Sequence, residues 1–312
     1  MPDISACARI STTLSSILLL AAAQQLIAAD DATIAQPAAL TLTAPDAGWA
    51  NSGRAGVFFS NVATSSSATE SRDSAIANAN GSEAWLLAWD DALLWRGTNK
   101  SSDQNLRLRY GRIRVEGDAW TDNNDEIHYD GVFRRDLVKP SFIYGAWGLD
   151  TVFRNSLSNK ALDPLTAQIS AGFGQLYHAL LLPGDPARKD AGQDRLEWRV
   201  GVRAQKRWSS EDLPQQDRIE VGPEAFLRYD RPVDDKLRWY LQYQLFTEFD
   251  DITHVSQLVT AGLTAAVARY ISADISFRAY REQLPRDLPE GTPGYDQWAE
   301  REDALIGLTY TY

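Results

Sequence analysis

The sequence predicts an all-β chain closed into an antiparallel transmembrane β-barrel of about 12 strands, 10 to 14 being compatible with the pattern. Three observations predict it. About a dozen segments alternate apolar and polar side chains with a period of two, which puts one class of residue on each face of an extended strand. The last ten residues, DALIGLTYTY, carry Ala304, Ile306, Leu308, Tyr310 and Tyr312 on one such face. Ten Trp, twelve Tyr and ten Phe supply the rings that sit where an apolar wall meets water.

The start of the chain reads as an export signal. Arg9 precedes a Ser/Thr segment, the apolar run 17–23 and a small-residue exit at Ala28 and Ala29, so residues 1–29 are expected to be a cleaved signal peptide. The apolar run is too short for a spanning helix, which needs ~20 apolar residues. Residues 30–53, rich in Ala, Thr and Pro without a sustained period, are expected to be a periplasmic leader, and 54–312 the barrel. Cys7 is the only cysteine, so the mature chain has no thiol chemistry and no disulfide.

Strand character then recurs at 55–62, 83–95, 106–116, 126–137, 142–153, 166–177, 196–207, 219–229, 237–249, 255–268, 271–282 and 304–312. Each is close to the ~9–11 residues that a tilted strand needs to cross a bilayer. Connections 63–82 and 283–303 are long, whereas 138–141, 230–236 and 269–270 are tight, as alternating outer loops and inner turns require. The connection 180–195 disobeys, being long where a short turn is expected.

Alternation assigns the faces. Leu237, Trp239, Leu241, Tyr243 and Leu245 oppose Arg238, Tyr240, Gln242 and Gln244, and Leu196, Trp198, Val200 and Val202 oppose Glu197, Arg199, Arg203 and Arg207. In a membrane barrel the apolar face meets lipid and the polar face meets the lumen. Trp85, Trp95, Tyr110, Tyr129, Tyr177, Tyr229 and Tyr310 fall at strand ends, where aromatic belts belong.

Two resemblances sharpen this. The final strand, with Leu308, Tyr310 and Tyr312, resembles the C-terminal assembly signal of Gram-negative outer-membrane barrels, which implies that the barrel-assembly machinery and outer-membrane lipid are partners. The segments SEAWLLAWDDALLWRG, NLRLRYGRIRV, NNDEIHYDGVFRR and FIYGAWGLDTVF resemble an uncharacterised family of outer-membrane barrels that carry a domain of unknown function, similar in outline to salt-stress-induced outer-membrane proteins. These motifs are structural, so the resemblance carries no catalytic residue to this chain.

Chemistry concentrates in arginines. Arg107 and Arg109 oppose Leu106, Leu108 and Tyr110; after Gly111 the phase slips, as at a β-bulge, so Arg112 and Arg114 can join them on the lumen wall. Arg199 and Arg203 face Glu220 and Glu224 of the following strand. These eight residues either bias passage by charge or pair across strands to fill a closed interior. His128 lies between Glu126 and Asp130, His178 ends a strand in QLYHALLL, and His254 follows Asp250 and Asp251 and precedes Ser256 by two positions; none sits in a hydrolase motif. No phosphate loop or metal-ligand spacing is present. The net charge of −11 argues against a nucleic-acid partner.

The expectation is therefore a non-enzymatic barrel without cofactor or metal, acting as a passive pore for ions or small solutes. Two alternatives stay open, a closed barrel that works through its outer loops and a membrane-embedded hydrolase. The oligomeric state is not encoded in the pattern.

Overall fold

The computed structural model describes residues 47–64, 85–113, 121–155, 158–179, 194–210, 218–234, 236–268, 270–286, 288–292 and 294–311. The expected signal peptide, Cys7, most of the leader, Arg114, Tyr312 and nearly all of the 180–195 connection lie outside them.

Twelve strands are present: β1 (Gly48–Thr64), β2 (Trp85–Arg96), β3 (Lys100–Ile113), β4 (Thr121–Asp136), β5 (Ser141–Thr151), β6 (Leu165–Ala179), β7 (Asp194–Trp208), β8 (Ile219–Pro232), β9 (Leu237–Thr247), β10 (Val255–Ala268), β11 (Ile271–Glu282) and β12 (Ala299–Thr311). Each pairs antiparallel with its neighbours in sequence, and β1 pairs with β12 to close the ring. Closure leaves no edge with unpaired backbone groups, which is what permits a sheet to sit in lipid. β1 opens at Gly48, so residues 48–53 belong to the wall and not to the expected leader. They are held there by pairing with β2, where Trp49 opposite Trp95 brings two rings within 6.3 Å.

The ends of the barrel differ. Connections 97–99 and 137–140 are tight turns at one end, where the strands around 233–236 and 269–270 are also closely joined, and the described parts of 152–164, 248–254 and 283–298 form larger loops at the other. The outer face is apolar: Val57, Leu87, Ile143, Ile169, Val200, Val202, Leu227, Leu241 and Leu308 all project from it. Aromatic rings mark both rims. Trp85, Tyr110 and Phe153 form a chain of contacts at 6.0 and 6.2 Å near the loop end, and Trp95 stacks on Phe133 at 6.5 Å near the turn end. Trp85 and Trp95 lie ten residues apart on β2, roughly 33 Å along the strand at ~3.3 Å per residue, or about 25 Å across a wall tilted by ~40°. That equals the ~25 Å apolar band of outer-membrane barrels.

Lumen-facing glycines let rings lie flat on the inner wall. Gly172 on β6 and Gly201 on β7 pair with each other. Tyr144, opposite Gly172 on β5, crosses both and donates its hydroxyl to Glu224 on β8 at 2.7 Å. A Cβ on Gly201 would lie 2.5 Å from that hydroxyl oxygen.

Candidate functional site

The lumen is lined by the polar face of every strand. Because residues opposite each other in a ladder share a face, the register draws continuous rows around the wall, one running Arg107, His128, Asp150, Thr166 and Arg207 across β3 to β7. A barrel of this girth cannot leave such groups dry and unpaired, and two ion networks satisfy many of them. In the first, Asp90 accepts from Arg54 at 2.9 Å and from Arg109 at 2.8 Å, with Arg107 3.7 Å away; Arg54 also holds Asp274 at 2.7 Å. Arg107 reaches Glu126 at 3.7 Å. In the second, Arg134 grips Asp103 at 2.6 Å and both oxygens of Glu197 at 2.8 Å, and Arg195 binds the same two carboxylates at 3.1 and 2.8 Å.

Between and beyond these networks lies a cavity of about 830 Å³. Its lining includes Arg107, Arg199, Arg203, Glu220 and Glu224, which the sequence placed on the lumen wall. The register separates the arginines from the glutamates expected beside them. Arg203 stands opposite Gly222 and Arg199 opposite Phe226, while Glu220 stands opposite Gln205 and Glu224 opposite Gly201. Glu220 accepts from Gln205, and Glu224 from Tyr144. Arg199 instead spreads over Phe226 at 3.9 Å and reaches Glu197 at 3.3 Å, and Arg203 spreads over Phe246 at 4.2 Å and donates to Gln168 at 3.2 Å. Thirteen Arg and Lys line the cavity against seven Asp and Glu, so the lining of this cavity is cationic, while Asp90, Glu126 and Asp274 add carboxylates to the inner face outside it.

Arg112 is placed elsewhere. The register does shift at Gly111 and Arg112, as the phase slip implied, but the extra residue is Asn123 on β4, which the pairing skips between Asn124 and Asp122. β3 keeps its own phase, so Arg112 stays on the outward face with Leu108 and Tyr110, opposite Trp85. The lumen ladder therefore contains Arg107 and Arg109, and Arg114 lies outside the described residues. Of the C-terminal signal, Leu308 and Tyr310 point outward and are well exposed.

His128 and His254 are each bracketed by two carboxylates. His128 Nδ1 meets Asp150 at 2.5 Å and Nε2 meets Asp130 at 3.0 Å. His254 Nδ1 meets Glu248, and Nε2 meets Glu282 at 2.6 Å; Glu248 is also held by Arg218 at 2.8 Å and Glu282 by the Tyr280 hydroxyl at 2.6 Å. Glu248 and Glu282 sit far from His254 in sequence or outside its local pattern, so spacing alone could not find them. With a carboxylate against both nitrogens, neither ring is turned toward a nucleophile. Among the described residues no group of three or more His, Cys, Asp and Glu is placed to hold a metal ion.

The His254 cluster fastens the loop end. Tyr295 from the 283–298 loop is buried beside the imidazole, ring centres 6.4 Å apart. Asp251, in the loop 248–254, accepts from Thr253 and from the Arg286 backbone N–H at 2.9 Å, tying the two loops together. Burial pushes the Asp251 carboxyl up, but these bonds and the nearby Arg286 guanidinium outweigh it and hold the group at about 2.

No protein-family model matches the sequence, and no curated protein matches it. Among solved structures the chain is similar to an outer membrane channel from Pseudomonas putida F1, at 10% identity and a TM-score of 0.39, covering 85% of this chain and 96% of that one. It is similar to an anion-selective porin from Comamonas acidovorans at 10% identity and 0.34, covering 85% and 100%. It is also similar to outer membrane phospholipase A from Escherichia coli at 10% identity and 0.38, covering 92% and 96%. The closed ring of twelve strands rests on the pairing within this chain itself.

Proposed function

We propose that this protein is an outer-membrane barrel that acts as a passive, non-enzymatic pore and favours small anions. The observation that carries the reading is the cavity of about 830 Å³ inside the ring, with its excess of cationic over anionic side chains. Fixed charges of one sign in a low-dielectric channel raise the local concentration of the opposite ion. The apolar outer face between two aromatic rims supports a bilayer as its surroundings. The bracketed histidines support transport over hydrolysis, since neither presents a base to a nucleophile.

The test is conductance of refolded protein in a planar bilayer under a potassium chloride gradient. Discrete steps with a reversal potential on the chloride side are expected, and Arg199→Glu should move that potential toward the potassium side. Silence from protein shown to be folded and inserted would overturn the pore. A second reading, a closed barrel acting through its loops, is favoured by the His254 cluster that fastens the loop end. In that case His254→Ala, which cuts the fastening, opens steps that the unaltered protein lacks.

A further inference from the structure

We infer that the turn end of the outer wall, from β3 to β5, carries a docking site for the headgroup of an anionic glycerophospholipid. The site takes from the proposed function only the bilayer surroundings, not conduction. Lys100 on β3 and Arg135 on β4 stand directly opposite each other in the ladder, and Lys139 sits in the turn that joins β4 to β5. All three are exposed, and among the described residues none of their side chains has an ion pair, a hydrogen bond or a ring contact. Like charges directly opposite on a sheet are destabilising, and an anion seated between them turns that repulsion into attraction.

The register gives the cations a depth. Ser102 stands opposite both Trp95 and Phe133, whose rings stack across it at 6.5 Å. Lys100 and Arg135 lie two residues nearer the turns on the same outward face. That is ~7 Å along the strands, or ~5 Å along the normal of a wall tilted by ~40°. Aromatic belts mark the boundary between acyl chains and headgroups, so this step carries both cations to the level of the phosphates. The neighbouring carboxylate, Asp136, alternates to the lumen side, where it stands opposite the buried Phe142.

Charge narrows the ligand. A zwitterionic headgroup would bring a further cation to three that already lack a partner, whereas a glycerol phosphodiester brings one net negative charge. Its phosphate oxygens match the fork of N–H groups on Arg135, with the lysines as point charges beside it. In outer-membrane barrels the short turns face the periplasm, which puts the site in the inner leaflet.

Dioctanoyl phosphatidylglycerol is titrated into the refolded protein in non-ionic detergent, with dioctanoyl phosphatidylcholine and inorganic phosphate as comparisons and the heat as the readout. Saturable binding of phosphatidylglycerol, tighter than that of either comparison, is expected. Changing Lys100→Gln and Arg135→Gln together should weaken it about ten-fold or more, the loss of two cations that face an anionic surface. Lys160→Gln, at the loop end, should leave it unchanged. No saturable heat, equal affinity for phosphatidylcholine or phosphate, or equal affinity in the double variant would overturn the site. If the double variant does not fold, labelling of lysines in the unaltered protein by an N-hydroxysuccinimide ester decides. Protection of Lys100 and Lys139 relative to Lys160 in micelles carrying phosphatidylglycerol upholds the site, and the same ratio as in phosphatidylcholine overturns it. A barrel that binds the lipid but is silent in bilayers loses the pore and keeps the site; a conducting barrel without the lipid preference does the reverse.

Discussion

Arg134 shows what a single buried charge does here. Its guanidinium, 3% exposed, closes on Asp103 and Glu197, themselves buried, so that three strands are tied through one side chain. Arg134→Ala should cost about 1.5–3 kcal/mol, because Asp103 and Glu197 lose their most buried charged partner but keep Arg195. Urea titration of the heat-modifiable band on a gel measures that loss. Asp251 gives the corresponding pH statement outside the membrane-spanning segments. Its carboxyl titrates at about 2, against an ordinary 3.8, so the folded state binds its proton less readily than the unfolded chain. The stability it gives to the loop contact is therefore complete above about pH 4 and is lost as pH falls through about 2. Exchange of the Thr253 and Arg286 amides, taken relative to intrinsic rates, should speed up across that window, and Asp251→Asn should remove the dependence.

At the scale of the element, the strands are shaped as much by what is missing as by what is present. β6 and β7 meet at Gly172 and Gly201, and the bare backbone there is the bed on which Tyr144 lies to reach Glu224. Gly201→Val should cost about 1–3 kcal/mol through overpacking and should turn Tyr144 away from Glu224. The gel-shift midpoint measures the first, and the second predicts that Tyr144→Phe adds little further loss in the Gly201→Val background. β3 and β4 illustrate a different control. The extra residue at Asn123 is accommodated on β4, so β3 keeps Arg107 and Arg109 inward and Arg112 outward beside Trp85.

The whole molecule inverts the polarity of a soluble domain. Val200 and Val202 are each 47% exposed on the outer face, while Glu197, Arg199 and Arg203 on the same strand are buried toward the lumen. An arginine at Val200 should therefore cost about 2–4 kcal/mol if that position lies near the bilayer centre, whereas Gln205→Arg on the lumen side should cost far less. Folding into liposomes, followed by tryptophan fluorescence against urea, separates the two. Equal costs would mean that Val200 does not face lipid. The same inversion concentrates cationic side chains around the cavity, while Asp90, Glu126 and Asp274 stand on the inner face outside it.

The sequence by itself determined the ring. Each of the twelve expected segments falls mostly within a strand because a two-residue period is a local property, set by the direction in which successive side chains leave an extended chain. β1 and β12 run further than expected, β1 opening at Gly48 and β12 running back to Ala299, where Arg301 and Asp303 carry the alternation in charged residues on the lumen side. The sequence also placed Arg107, Arg109, Arg199 and Arg203 on the inner face. It could not say which carboxylate each would meet, since that depends on register between strands, and a shift of one position changes every partner. Only the closed tertiary structure put Gly222 rather than a glutamate opposite Arg203, drew Glu248 and Glu282 onto His254, and set Arg134 between Asp103 and Glu197 from separate strands. Periodicity fixes the face of a side chain; the curvature and stagger of the closed sheet fix its neighbours.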